Sequence, residues 1–208
     1  MFLFQEHQKR IAKKSKKKAK KTTGPATHEL GVAEQLQLDL LRIKNTPHTK
    51  RIALKKQLIN KYQTVFNKAC KADDWSDSNF IFYNILWRFD VGNFKTAFKL
   101  AKQGFDKNLT SPFKSTFPTF VADTIFNRAK EQNNNNKTTK PFLNELVVLL
   151  DAGLNINPIP HAKIFKLYGD IISDTKPAAA LTYFEKAQEF DKTIGVKGRI
   201  AKLTAKLK

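Results

Sequence analysis

At 208 residues and a formal charge of +20, the chain is long enough to bury a core and basic enough to favour polyanions, nucleic acid first and an anionic membrane surface second. Its single cysteine, Cys70, excludes an internal disulfide, a thiol-rich zinc site and a Cys-x-x-Cys redox pair, and suits a reducing compartment. Seventeen phenylalanines against one methionine point to a core of aromatic rings, and few glycines and prolines suit long helices better than a turn-rich β-sandwich.

The opening MFLFQEHQKR is too short in apolar residues for a signal peptide, and no later run approaches the length of a membrane span. Residues 9–21 read KRIAKKSKKKAKK. Lys9, Arg10, Lys13, Lys14, Lys16, Lys17, Lys18, Lys20 and Lys21 place nine cations in thirteen positions, and Ile11 is the only large apolar side chain among them. Such a segment has nothing to pack, and self-repulsion keeps it extended until a polyanion binds. TTGPAT at 22–27 breaks any helix. Residues 1–27 therefore read as a flexible, disordered basic arm.

Two helices follow. The first spans 29–44, with Leu30, Leu36, Leu40, Leu41 and Ile43 as its candidate buried positions, and Asn45–Thr46–Pro47 ends it. The second spans 49–71, with Ile52, Leu58, Ile59, Tyr62, Val65 and Phe66 recurring near helical spacing and Lys50, Arg51, Lys55, Lys56 and Lys61 on the remainder. It is a basic amphipathic helix, suited to lying on DNA or to facing water. DDWSDS (73–78) supplies an acidic turn with helix-capping residues. The helix expected over 77–90 has almost no polar face and should be central. Asp90–Val91–Gly92–Asn93 then reads as a helical-hairpin corner, with Gly92 free to adopt a left-handed conformation and Asn93 placed to cap the helix over 93–107. Trp87 and Phe94 are expected to pack across this corner rather than to stack on a ligand.

Residues 108–120 carry Pro112 and Pro118 and should be irregular before a helix over 119–132. The NNNN tract at 133–136 is a loop tip. Helices are expected over 139–151, 160–173, 176–191 and 196–206. GNFKTAFKLAKQGFD (92–106) and TKPAAALTYFEKAQEFD (175–191) align at Ala97 with Ala180 and at Ala101 with Phe184, in the manner of the second helix of a tetratricopeptide-type hairpin.

The chemistry-bearing motifs are few. No Walker-type phosphate loop and no nucleophile elbow is present, and His7, His28, His48 and His161 are scattered without metal-ligand spacing. Asp73, Asp74 and Asp77 are the best acidic cluster. Carboxylates brought together can hold magnesium ions for phosphodiester cleavage, but here a helix start needs capping, and capping is the preferred reading. Asp90, Asp106 and Asp123 join a metal site only if the fold assembles them. The arm is suited to binding phosphates without reading bases, and neutralising about five of them gives a log–log salt slope near −4 to −5. A solubility tail or, in a eukaryote, a nuclear-import signal is the competing reading.

Three stretches share a family pattern: KRIALKKQLINKYQTVFNKA (50–69), LWRFDVGNFKTAFKLAKQGFDKNLTSPF (86–113) and LYGDIISDTKPAAALTYFEKAQEFDKTIGVKGRIAKL (167–203). On these the chain, from about residue 33 onward, resembles the small terminase subunit of temperate, contractile-tailed phages that cut their genome at cohesive ends. Asn93 stands where that family's Trp-Arg-x-Asp-x-Gly run usually continues with an acidic residue, and the basic residues are concentrated in the N-terminal arm rather than in a tail. The resemblance implies binding to double-stranded viral DNA at the packaging site, assembly as a homo-oligomeric ring and recruitment of the terminase large subunit, which carries the ATPase motor. It also brings the label of endonuclease subunit, for which the residues offer no convincing catalytic or metal cluster.

The combined expectation is an all-α protein of helical hairpins with tetratricopeptide-like packing. A basic arm (1–27) precedes a basic helical region (28–71) that contacts DNA and helps oligomerise, and a hairpin core (72–208) docks other subunits. The arm cations named above are the first DNA contacts, Lys13, Lys14, Lys16, Lys17 and Lys18 foremost, and Lys50, Arg51, Lys55 and Lys56 the second. No catalytic residue, metal site or cofactor is assigned, Mg²⁺ entering only if the chain is the endonuclease. No membrane contact is expected, and the compartment is the bacterial host cytoplasm. A metal-dependent endonuclease and a helical-repeat scaffold stand as alternatives.

Overall fold

The computed structural model describes residues 31–131 and 140–208; the arm at 1–27 and the NNNN tract lie outside the described residues. Among the described residues the secondary structure is α-helical throughout, with no strand. The helices are α1 (Val32–Asn45), α2 (His48–Lys71), α3 (Ser78–Asp90), α4 (Phe94–Asp106), α5 (Phe117–Glu131), α6 (Lys140–Asp151), α7 (Pro158–Ile172), α8 (Pro177–Phe190) and α9 (Lys197–Leu207). Each corresponds to a helix expected from periodicity. The main difference is the start of α5, which takes in Phe117 and Pro118 from the stretch expected to be irregular, since proline is tolerated in a first turn where its missing N–H has no partner to lose. The chain divides into two units, Met1–Gln35 and Leu36–Lys208, and the packing below is that of the second.

From α2 onward, helices pack on their neighbours in sequence. α2 lies against α3, α3 against α4, α4 against α5, and α7 meets α5, α6 and α8, with the α7–α8 pairing the most extensive. The inward stripe of α2 is Leu54, Leu58, Tyr62 and Phe66, one residue every four. Ile52 and Val65, expected inside, are exposed, because both lie off that stripe. Leu41 of α1 is likewise exposed, and the buried position beside it is Asp39, whose Oδ2 accepts hydrogen bonds from Lys61 Nζ at 2.6 Å and Tyr62 Oη at 2.7 Å. Burial, together with that carboxylate, raises the Tyr62 phenol above its ordinary range.

α3 is the centre of the N-terminal half. Phe80, Ile81, Phe82, Ile85, Trp87 and Phe89 are all buried. Asp77 caps it by accepting from Phe80 N–H at 3.0 Å, while Asp74 closes the preceding turn by accepting from Ser76 N–H and Oγ. At the corner after α3, Gly92 has φ +85°, and the Asn93 side chain accepts from Thr96 N–H at 3.4 Å to start α4. Trp87 and Phe94 are both buried, but they do not meet across the corner. Phe89 packs edge-on against Phe94 at 5.6 Å, whereas Trp87 turns back onto Tyr62 of α2 at 6.1 Å.

In the C-terminal half, small residues set the spacing. Ala180 and Ala187 are fully covered, and a Cβ added to Gly169 would stand 2.8 Å from the Phe184 ring, so α7 and α8 close to a distance that only glycine permits there. Ala97 and Ala101 of α4 are likewise fully buried, Ala97 aligning with Ala180 and Ala101 with Phe184. His161, in the first turn of α7, is 7% exposed and stacks on Phe190 with ring centroids 3.8 Å apart; its Nε2 has no hydrogen-bond partner.

Two stability measurements follow from this packing. Trp87→Ala should cost about 3–5 kcal/mol in urea denaturation; a loss of DNA affinity at unchanged stability would instead make Trp87 a contact residue. Burial and the nearby Lys186 depress the His161 pKa below 6.5, with Asp151 opposing them in part. An unfolded chain therefore takes up this proton first, so stability is present above pH 6.5 and is lost as pH falls below it. Urea midpoints at pH 7 and pH 5.5 should show that loss, and His161→Phe should flatten it.

Candidate nucleic-acid interface

α2 carries seven cations and no carboxylate over its 24 residues. The four-residue spacing of its apolar stripe turns one side to the core, so the polar remainder is left outward or at the edges. The fold then sorts the cations by what they touch. Arg51 donates from Nε to Thr46 O at 2.8 Å and from Nη2 to Lys44 O at 3.1 Å, satisfying carbonyls at the C-terminal end of α1. Lys55 is held 2.6 Å from Asp90, at the end of α3, and Lys61 is 2.6 Å from Asp39. Lys50, Lys56, Lys68 and Lys71 are exposed and make no hydrogen bond or ion pair with any described residue. At about 1.5 Å per residue, they are spread over roughly 30 Å of helix.

Of the four α2 residues predicted as contacts, then, Lys50 and Lys56 present free ammonium groups, while Arg51 and Lys55 are engaged internally. Lys68 and Lys71 complete the free set and were not predicted. The signal for them was present in the sequence, in the absence of any acid along the whole helix. Lys9 through Lys21, the nine arm cations, lie outside the described residues.

One buried cation stands behind this helix. Arg88 of α3 is 4% exposed and is held by neutral groups: Nη1 donates to Asn84 O at 2.7 Å, Nη2 donates to Gln63 Oε1 of α2 at 3.1 Å, and the guanidinium lies over the Phe66 ring at 4.5 Å. Burial lowers its pKa from the ordinary value. Among the described residues no carboxylate is within ion-pair distance of it, so its charge adds to the positive field of α2.

The carboxylates have different tasks. Asp77 is a helix cap, Asp74 closes a turn and Asp73, at φ +53°, pairs with Lys107. Asp90 pairs with Lys55, and burial raises the Asp123 pKa. Among the described residues no three His, Cys, Asp or Glu side chains converge as a metal-ligand group, and no helix is long and apolar enough to cross a membrane.

Comparison with known proteins adds to this geometry. The model of the phage small terminase subunit family matches residues 33–153, a span that takes in the stretches 50–69 and 86–113 and ends just after α6; the stretch 167–203 lies beyond it. The chain is also similar to the probable terminase, endonuclease subunit of Haemophilus phage HP1 (strain HP1c1), at 23% identity over 140 residues, covering 66% of this chain and 50% of that protein. The aligned part thus spans about half the length of that curated relative. No solved structure gives a significant match.

The division between free and engaged cations is measurable without any nucleic acid. Lys50→Gln and Lys56→Gln should leave stability within about 0.5 kcal/mol. Lys55→Gln should lose about 1–2 kcal/mol in urea denaturation, because it leaves the half-buried Asp90 without its cation.

Proposed function

This chain belongs to the phage small terminase subunit family, and we propose that it serves viral DNA packaging by binding duplex DNA at the packaging site and recruiting the ATPase-bearing large subunit. The observation that carries the proposal is the acid-free helix α2, with four ammonium groups facing solvent along one element. Ammonium groups presented along one acid-free helix suit a phosphate backbone, which carries one charge per about 1.7 Å of duplex. They fix position on DNA rather than reading its sequence. The arm at 9–21 brings nine more cations to the same partner. Together they give a binding mode dominated by counterion release, strong at low salt and steeply weakened as salt rises.

Assembly into a ring is part of the same reading. Leu38 and Leu41 on α1 and Ile52 on α2 are large apolar side chains exposed to solvent, a cost that contact with a second copy would offset. The helical core that follows α2 offers the docking surface for the large subunit. The site of action is the cytoplasm of the bacterial host.

The printed name of the HP1 relative favours a second reading, in which the chain itself cuts DNA. Hydrolysis of that kind calls on magnesium held by carboxylates. Asp73, Asp74 and Asp77 are the nearest candidates, but here they form an ion pair, a turn and a helix cap, so recognition is the better-supported role.

A supercoiled plasmid carrying the phage end sequence, incubated with the purified chain and Mg²⁺, should be retarded and left uncut. Site-specific nicking by the chain alone, abolished in folded Asp73→Asn or Asp77→Asn variants, would replace recognition with catalysis. Replacing Lys13, Lys14, Lys16, Lys17 and Lys18 by Gln should reduce the log–log salt slope of duplex binding by about 4.

A further inference from the structure

The last seventeen residues, 192–208, contain Lys192, Lys197, Arg199, Lys202, Lys206 and Lys208 and neither Asp nor Glu. They include α9, which lies beyond the residues 33–153 that match the family model. α9 is firmly seated. Leu203 and the preceding Val196 are buried with Phe184, Ala180 and Ile172, and Ile200 packs against them. Lys166 Nζ donates to Ile194 O at 2.7 Å, and Arg199 Nε donates to Asp170 Oδ1 at 2.5 Å, pinning both the turn before α9 and its first half.

With the inward side fixed, the outward side is determined. At about 100° per residue, Lys202 and Lys206 share one flank with Arg199, while Lys197 and Lys208 fall on the other. Between the flanks lie Gly198, Ala201 and Ala205, all exposed. The outward face is thus a shallow strip of small residues edged by ammonium groups. Lys192, Lys197, Lys202, Lys206 and Lys208 make no hydrogen bond or ion pair with any described residue. A helix macrodipole accounts for cations in the last turn only, which leaves Lys192, Lys197 and Lys202 unexplained by it.

The kind of partner is set by what the strip lacks. A helix that lies in a membrane surface needs large apolar side chains opposite its charges, and the outward face of α9 has only glycine and alanine there. A duplex backbone needs cations at two edges and a surface that does not obstruct close approach. From Lys197 to Lys208 the helix covers roughly 16 Å, the length of about five base pairs.

We infer that the outward face of α9 is a second phosphate-contacting surface for duplex nucleic acid, separate from α2. It rests on the reading of the chain as a DNA-binding subunit and extends it: one chain touches the duplex through two helices far apart in sequence. Each surface then contributes its own share of counterion release.

The test uses the full chain and a 30-base-pair duplex, with affinity followed by fluorescence anisotropy across a salt series. Lys197→Gln/Lys202→Gln/Lys206→Gln should lower the log–log slope by about 2–3, at roughly 0.9 per phosphate contact, with an unchanged thermal midpoint. The control removes the same charge elsewhere, as Lys95→Gln/Lys99→Gln/Lys130→Gln, and should leave the slope within about 1 of the parent. An unchanged slope in the α9 triple variant, while the arm variant still loses its share, overturns the α9 surface and leaves the DNA-binding reading standing. Equal losses in the α9 and control triples reduce the effect to net charge and also overturn it. No duplex binding by the parent chain at any salt overturns the DNA-binding reading itself.

Discussion

The packing of α3 against α2 is the constraint on which the rest of the N-terminal half depends. α3 has hardly any side it can show to water, so each neighbour must offer it an apolar face. Tyr62 and Phe66 of α2 meet Phe80 and Trp87 on one side, and Phe113, Phe117 and Phe120 gather around Phe82 on the other. Rings stacked and edge-on at these distances add directional preference to area burial. The position of α2 follows from this seam, and with it the direction in which its lysines point. Even the polar groups at the seam, Arg88 with Gln63 and Asp39 with Tyr62, are paired across helices rather than left to water.

A chain of such positive charge has few carboxylates to distribute, and where they are placed decides which cations remain available. Asp39 and Asp90 neutralise Lys61 and Lys55; Glu145 takes Lys102, Asp151 takes Lys186 and Asp170 takes Arg199. These pairs tie helix to helix. Much of the surplus of lysine is left on α2 and α9, the two helices with no acid built into them among the described residues. Stability therefore draws on the paired lysines, and the unpaired ones are left facing solvent, so the same residue type can serve both ends without conflict.

How much of this was readable in the sequence depends on the range of the interaction. Asp77, Gly92 and Asn93 act within three residues of themselves, and their roles in capping and turning were legible from local chemistry alone. The helices were legible because periodicity is a local property as well. The facing of α2 was not. Its apolar residues at 52, 54, 58, 59, 62, 65 and 66 satisfy two adjacent helical registers, and only the surface of α3 selects Leu54 over Ile52. The same limit applied to charge. Lys55 and Lys56 are equivalent in sequence; an aspartate 35 residues away separates them. Asp39 and Arg88 are buried by partners more than twenty residues distant, which no window along the chain can show.

The setting of Trp87 has an optical consequence. It is one of two tryptophans, 1% exposed, with Tyr62 at 6.1 Å and Tyr83 at 6.2 Å between ring centroids. Two phenol donors that close to an indole acceptor hand over their excitation before they emit. In the folded chain, light absorbed by Tyr62 and Tyr83 is therefore released as Trp87 emission; Tyr83 sits beside Trp87 on α3 itself, whereas Tyr62 recovers its own fluorescence when α2 and α3 separate. The seam that organises the fold is also its intrinsic, label-free reporter.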